Sequence, residues 1–277
     1  MIKYKYLLFL FIITINATPV VEVVFPGLLG NRLFVYCIGN IIAKELDFNL
    51  YSKPIYGFPN TFDFQNNYPS PQYYTEQING VQDIDIPNII ANRQPRNIRI
   101  IGFFQRYKYL KPYTELIRHK WLKIDQKLIP SKNYKDIVLH IRTQNSPCYL
   151  PFEYYEKALQ LASFEKLYIC IDEPSDPYLD NFKKYNPIVV SNRSINQQMY
   201  SSTSWDDITK NNMDDFFFIY SFDKIIISHS TYSWWAAFLS DASEIYAPFS
   251  YDDRYQLYGK VEEPRYHYID THIGRRK

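Results

Sequence analysis

Two textures of apolar residues alternate along the chain. Short runs with little polar interruption, "VVEVVF" (20 to 25), "IRIIGFF" (98 to 104), "IVLHI" (137 to 141), "KLYICI", "PIVVS" and "DKIIIS", predict strands of the kind buried in parallel sheets. Between them come stretches with an apolar residue every three or four positions. Phe34, Ile38, Ile41, Ile42 and Leu46 share one face of a predicted helix ending near Leu46. Phe152, Tyr155, Leu159 and Ala162 share a face of another, opened by Pro151. "KYLKPYTELIRHKWL" and "MDDFFFIYSF" read as further helices. Residues 52 to 97 are rich in Pro, Asn and Gln, show no period, and predict loops with short elements.

A strand, helix, strand order predicts an α/β fold built on parallel sheets, which bind ligands at the carboxyl ends of their strands. The expected organisation is a signal peptide or signal anchor over 1–18, a first α/β domain over 19–135, a second α/β domain over 136–250 and a tail over 251–277. Polar residues gather at the predicted strand ends of the second half. His140 and Arg142 close one strand, Asp172 and Glu173 the next, Ser191 to Ser194 the next, and Ser228 to Ser233 the last. In the first half, "PGLLGN" turns a strand into a helix and puts Gly30 and Asn31 at the turn.

Composition narrows the picture little. A formal net charge of +2 over 277 residues provides no field that favours nucleic acid or a membrane surface. The 27 Tyr and 19 Phe suit either core packing or stacking on sugar rings. Lys3 and Lys5 followed by "LLFLFIITI" and Ala17 describe a secretory signal, or an uncleaved anchor that makes residues 6–15 a membrane tether. Three cysteines, Cys37, Cys148 and Cys170, cannot all pair, and buried free thiols are expected. No Cys/His spacing calls for zinc. Asn192 stands in a glycosylation sequon, "NRS".

The stretch "DKIIISHSTYSWWAAF" carries the most specific chemistry. Ser230, Thr231 and Ser233 crowd a helix start, where free N–H groups and the helix dipole bind an anion such as a phosphate. Plain capping by Ser and Thr is the competing reading. Arg142, at the end of "IVLHI", adds a permanent cation able to grip phosphate with two hydrogen bonds. His140 is either a structural histidine or a base and phosphate contact, and Asp172 either caps a helix or, with Glu173, accepts hydrogen bonds from a nucleoside.

"GLLGNRLFVY", "GFFQRYKYL", "HIR" and "DKIIISHSTYSWWAAFL" resemble, in the same order, the motifs of the alpha-1,2-fucosyltransferases, glycosyltransferase family 11, within the wider group of GDP-fucose-dependent fucosyltransferases. The resemblance spans about residues 20 to 248. It implies a GT-B-type enzyme with two facing Rossmann-like domains, which inverts the sugar of GDP-fucose, needs no metal or cofactor, and acts in the Golgi or another secretory compartment. The implied partners are a nucleotide-sugar donor and a galactose-terminated glycan acceptor. Arg142 would hold the β-phosphate and assist diphosphate departure. His140 and Glu173, with Asp172 beside it, would sit at the nucleoside, while Ser194, Ser230, Thr231 and Ser233 would line the phosphates. Gly30 and Asn31 would border the cleft from the first domain, with Asn31, His140 and Arg142 as the catalytic set.

The chain departs from that pattern at Leu28, Arg32 and Thr143, and lacks the Gly-Asp that follows the arginine pair. Another donor, a protein hydroxyl as acceptor, or a binding module without turnover are the alternatives. Asp63 and Glu115 are candidate general bases from the first half.

Overall fold

The computed structural model describes residues 17–64, 66–142, 150–190, 213–249 and 258–271, and it contains two sheets with every described pairing parallel. The first sheet runs β2-β1-β4-β3, formed by β1 (Val20–Val24), β2 (Asn49–Tyr51), β3 (Thr75–Gly80) and β4 (Asn97–Gly102). The second runs β10-β9-β8-β5-β6-β7. Its strands are β5 (Asn133–Ile141), β6 (Leu167–Ile171), β7 (Ile188–Val190), β8 (Phe222–Ile226), β9 (Glu244–Phe249) and β10 (Tyr266–Asp270). Helices α1 (Leu29–Leu46), α2 (Ile86–Ala91), α3 (Phe152–Leu161), α4 (Met213–Tyr220) and α5 (Thr231–Leu239) connect and cover them. This is the expected α/β class, with two parallel sheets each joined by helical crossovers.

Central strands follow their sequence. Ile137, Val138, Leu139 and Ile141 of β5 are completely buried, because β6 and β8 flank the strand and helices cover both faces. The expected inward face of α1 is buried, and so are Val35, Tyr36, Cys37 and Gly39 on its other side, because α1 lies between the first sheet and α5. Cys37 is a buried free thiol, and Cys170 is buried as well.

Two expectations are corrected. The segment 251–277 is no mere tail, since Tyr266–Asp270 adds β10 in parallel register beside β9. Its edge position tolerates the exposed His267, which hides the strand in the sequence. The short elements expected over residues 52 to 97 include β3, whose "TEQING" has a single large apolar residue, Ile78, and is held by its backbone pairing with β4. The continuous helix expected over "KYLKPYTELIRHKWL" is broken at Lys111–Tyr113 into a 3-10 turn, where Pro112 offers no N–H, and it ends in a π-helical turn at Ile117–Trp121.

One apolar cluster runs from Val21 and Ile100 of the first sheet through α1 and then Trp234 and Trp235 of α5 to Ile225 of the second sheet. The ring of Phe34 lies 5.0 Å from that of Trp234 and 4.9 Å from that of Trp235. Each such buried ring contributes roughly 1.5–3 kcal/mol. The two sheets are therefore joined through a shared core, and the boundary expected at 135 falls within the start of β5.

Candidate active site

From β5 the chain winds outward through β6 to β7, then crosses to the opposite side of β5 for β8, β9 and β10. Connections leave the carboxyl ends of β5 and β8 in opposite directions and open a crevice between them, the position where such sheets bind nucleotides. His140 and Arg142 stand at the end of β5, and Ser228 and Ser230 follow β8. His140 is buried, with its Nδ1 2.7 Å from Ser228 Oγ, so the two strand ends are tied together across the switch point. The Tyr232 ring lies 5.8 Å from its imidazole. Arg142 is half-buried, and among the described residues it makes no ion pair and no side-chain hydrogen bond, so its charge is unspent.

Helix α5 begins at this edge. Ser230 is its N-cap in an extended conformation, and its Oγ accepts from the Tyr232 N–H at 3.3 Å. Ser233 is fully buried, its hydroxyl donating to the Ser230 carbonyl at 3.4 Å. Capping thus accounts for the Ser230 hydroxyl, and the Ser233 hydroxyl is also spent inside the helix. The first-turn N–H groups of Thr231 and Ser233 have no acceptor among the described residues, and they carry the positive end of the helix dipole. Trp234 stacks on Phe238 at 4.8 Å and meets Trp235 edge-on at 5.0 Å. The two tryptophans therefore clamp α5 to the core and fix where its amino end points.

The amino end of α1 meets that of α5. Leu28 starts α1 without a side-chain cap. Asn31 Oδ1 accepts from Gln105 Nε2 at 2.7 Å and from Thr231 Oγ1 at 3.2 Å, which turns its NH2 group away from both. Gly27 holds φ +58, in the left-handed region, and a Cβ there would sit 2.8 Å from Asn31 Nδ2, so glycine leaves that amide uncovered. A Cβ on Gly30 would fall 2.6 Å from both Cβ and the carbonyl carbon of Thr231. Two segments about 200 residues apart are thus pressed into contact. Arg32 is buried and braces the turn, with Nε donating to the Gly27 carbonyl at 3.1 Å.

The remaining expected residues are placed as follows. Glu173 follows β6, and its Oε1 accepts from the Ser175 hydroxyl at 2.6 Å and from the Ser175 N–H at 3.3 Å. Asp172 is half-buried beside it, and the helix cap falls to Asp176, which accepts from the Tyr178 N–H at 2.8 Å. Asp63 lines a pocket with Asn40, which lies about 14 Å along α1 from Asn31, and Ala43. Glu115 is 83% exposed and pairs with His119 on the outer surface. Neither carboxylate joins the crevice residues. Ser194, Asn192, Thr143, Cys148 and residues 6–15 lie outside the described residues. Gln105, Ser228 and Tyr232 are additions to the expected set; all three fall in the polar strand end or the motif stretches that the sequence presents. Among the described residues no three His, Cys, Asp or Glu side chains gather to hold a metal ion.

His229 sits behind the crevice among Trp234, Tyr258 and Tyr268, 6% exposed, with Nδ1 unpartnered. Burial lowers its pKa from 6.5 to about 4. The unfolded chain therefore takes up a proton first as pH falls, so this group's effect is absent above pH 6.5 and destabilising between 6.5 and about 4. A shift of this size corresponds to about 3 kcal/mol at the acidic limit. In paired melts from pH 7 to 4, His229→Asn is expected to lose Tm less steeply than the parent; parallel curves would refute the assignment.

No protein-family model matches the chain, and no curated protein matches it. Among solved structures, a mutant of Arabidopsis thaliana FUT1 in complex with GDP is similar at 13% identity, over 86% of this chain and 72% of that one, with a TM-score of 0.46. A likeness this distant carries no argument about the site.

Proposed function

We propose that the protein is a glycosyltransferase that draws on a GDP-linked sugar, with fucose as the sugar and a galactose-type hydroxyl of a glycan as the acceptor in the secretory pathway. One observation carries the reading. Arg142, without an ion pair or side-chain hydrogen bond among the described residues, follows β5 at the same switch point where α5 begins, and the amino end of α1 touches α5 there. Cleaving a sugar from a nucleoside diphosphate leaves negative charge on the departing phosphates, and fixed donors aimed at that charge are the largest service a protein gives. Arg142 supplies charge and a two-pronged donor, the first turn of α5 supplies N–H groups, and Asn31 supplies its free NH2. His140, held by Ser228, borders the same crevice. The motif order supports fucose as the sugar and a glycan hydroxyl as the acceptor.

Nucleotide preference tests the reading. GDP at a hundredfold excess over its Kd is expected to stabilise the protein by about 2.7 kcal/mol, read as about 5 to 10 °C in Tm, with UDP and CMP giving smaller shifts. A larger shift with UDP or CMP would replace the donor class. No shift with any of the three would remove the nucleotide-sugar reading.

A further inference from the structure

On the outer side of the first half, about 14 Å along α1 from Asn31, lies a pocket of about 330 Å³ that the crevice does not use. Its size is that of sites for small organic ligands. Phe48, Phe64 and Trp121 form its apolar walls together with Leu50 and Leu116. Trp121 is buried and stacked on Tyr113 at 5.9 Å, so this wall is rigid.

The polar groups around these walls are of both kinds. Asn40 is buried, and its Nδ2 donates to the Tyr36 carbonyl at 3.0 Å; among the described residues nothing donates to its Oδ1. Asp63, exposed at the rim, has no cation partner among the described residues, and Lys120 across the pocket has no carboxylate partner among them. Lys44 is engaged with Glu45 at 3.3 Å, and Asn60 donates to the Lys120 carbonyl.

This combination selects among ligands. An anion meets Asp63 and a cation meets Lys120, while a wholly apolar molecule leaves Asn40 Oδ1 buried without a donor. A neutral polyol satisfies all of them, since each hydroxyl both donates and accepts and the C–H face of a sugar ring packs on aromatic walls. We propose that this pocket binds one sugar unit of a neutral glycan, with its ring against Phe64 and Trp121 and its hydroxyls on Asn40, Asp63 and Lys120. The assignment stands apart from the donor crevice.

The test is saturation-transfer NMR with galactose, glucose, mannose and N-acetylglucosamine on the full chain. At least one sugar is expected to bind saturably, with saturation arriving through its ring protons. The double variant Asp63→Ala, Lys120→Ala, both at exposed positions, is expected to weaken that sugar by at least about tenfold, the worth of one of the two charge-assisted hydrogen bonds it removes. The single variant Asp63→Asn provides the same comparison if the double variant melts early. Saturating GDP is expected to leave the sugar bound. Absence of binding by all four sugars, unchanged affinity in the variants, or displacement by GDP would each overturn the proposal.

Discussion

Replacing Arg142 with alanine is expected to lower kcat with GDP-fucose about a thousandfold, the scale at which a fixed donor to developing charge is lost. The guanidinium follows the last residue of β5, half-buried, with no ion pair or side-chain hydrogen bond among the described residues. Among the described residues nothing depends on its charge, so Tm should move by less than the equivalent of about 0.5 kcal/mol. Arg142→Lys keeps the charge but loses the planar fork, and should recover part of the rate without restoring it. The measurement is single-turnover rate and KM for the two variants beside a melt. A fall of less than tenfold in Arg142→Ala, with the fold intact, would mean that this side chain does not face the leaving diphosphate.

Gly30→Ala carries the second large effect, and its sign decides the matter. Gly30 lies in the first turn of α1, where alanine is intrinsically favoured over glycine by up to about 1 kcal/mol. A Cβ there would meet Cβ and the carbonyl carbon of Thr231 at 2.6 Å, and overpacking of that kind costs about 1–3 kcal/mol. The net loss of about 1–2 kcal/mol should therefore lower Tm by about 2 to 8 °C, read by calorimetry or circular dichroism. Thr231→Ala should relieve it only in part, because the backbone carbon of residue 231 remains in the way. A rise in Tm would show that the starts of α1 and α5 do not approach as described.

Much of the second half is legible in the sequence because its central strands are buried on both faces and leave unbroken apolar runs. "IVLHI" and "DKIIIS" needed no partner to be read, and their polar ends marked the crevice before any coordinates. Edge strands are different. β3 and β10 are held largely by backbone pairing on one side, so exposed residues such as Gln77 and His267 break the apolar pattern without harming the strand. Hydroxyl roles were also hidden. Ser230, Thr231 and Ser233 look alike in sequence, yet one caps α5, one bonds Asn31 of the other half and one turns into its own helix. Only the approach of α1 separates them. The distance of Asp63 and Glu115 from the crevice was equally invisible, because the course of the chain through residues 52 to 97 had no periodicity to follow.

The apolar cluster that threads from Val21 through Phe34 to Trp235 bears on how the protein responds to a ligand. A hinge between the two sheets would have to pull these rings apart and wet them, at roughly 1.5–3 kcal/mol for each large side chain exposed. Opening and closing as two rigid jaws is therefore costly, and a ligand entering the crevice meets two sheets held in one arrangement, with the tryptophan helix as their fixed reference.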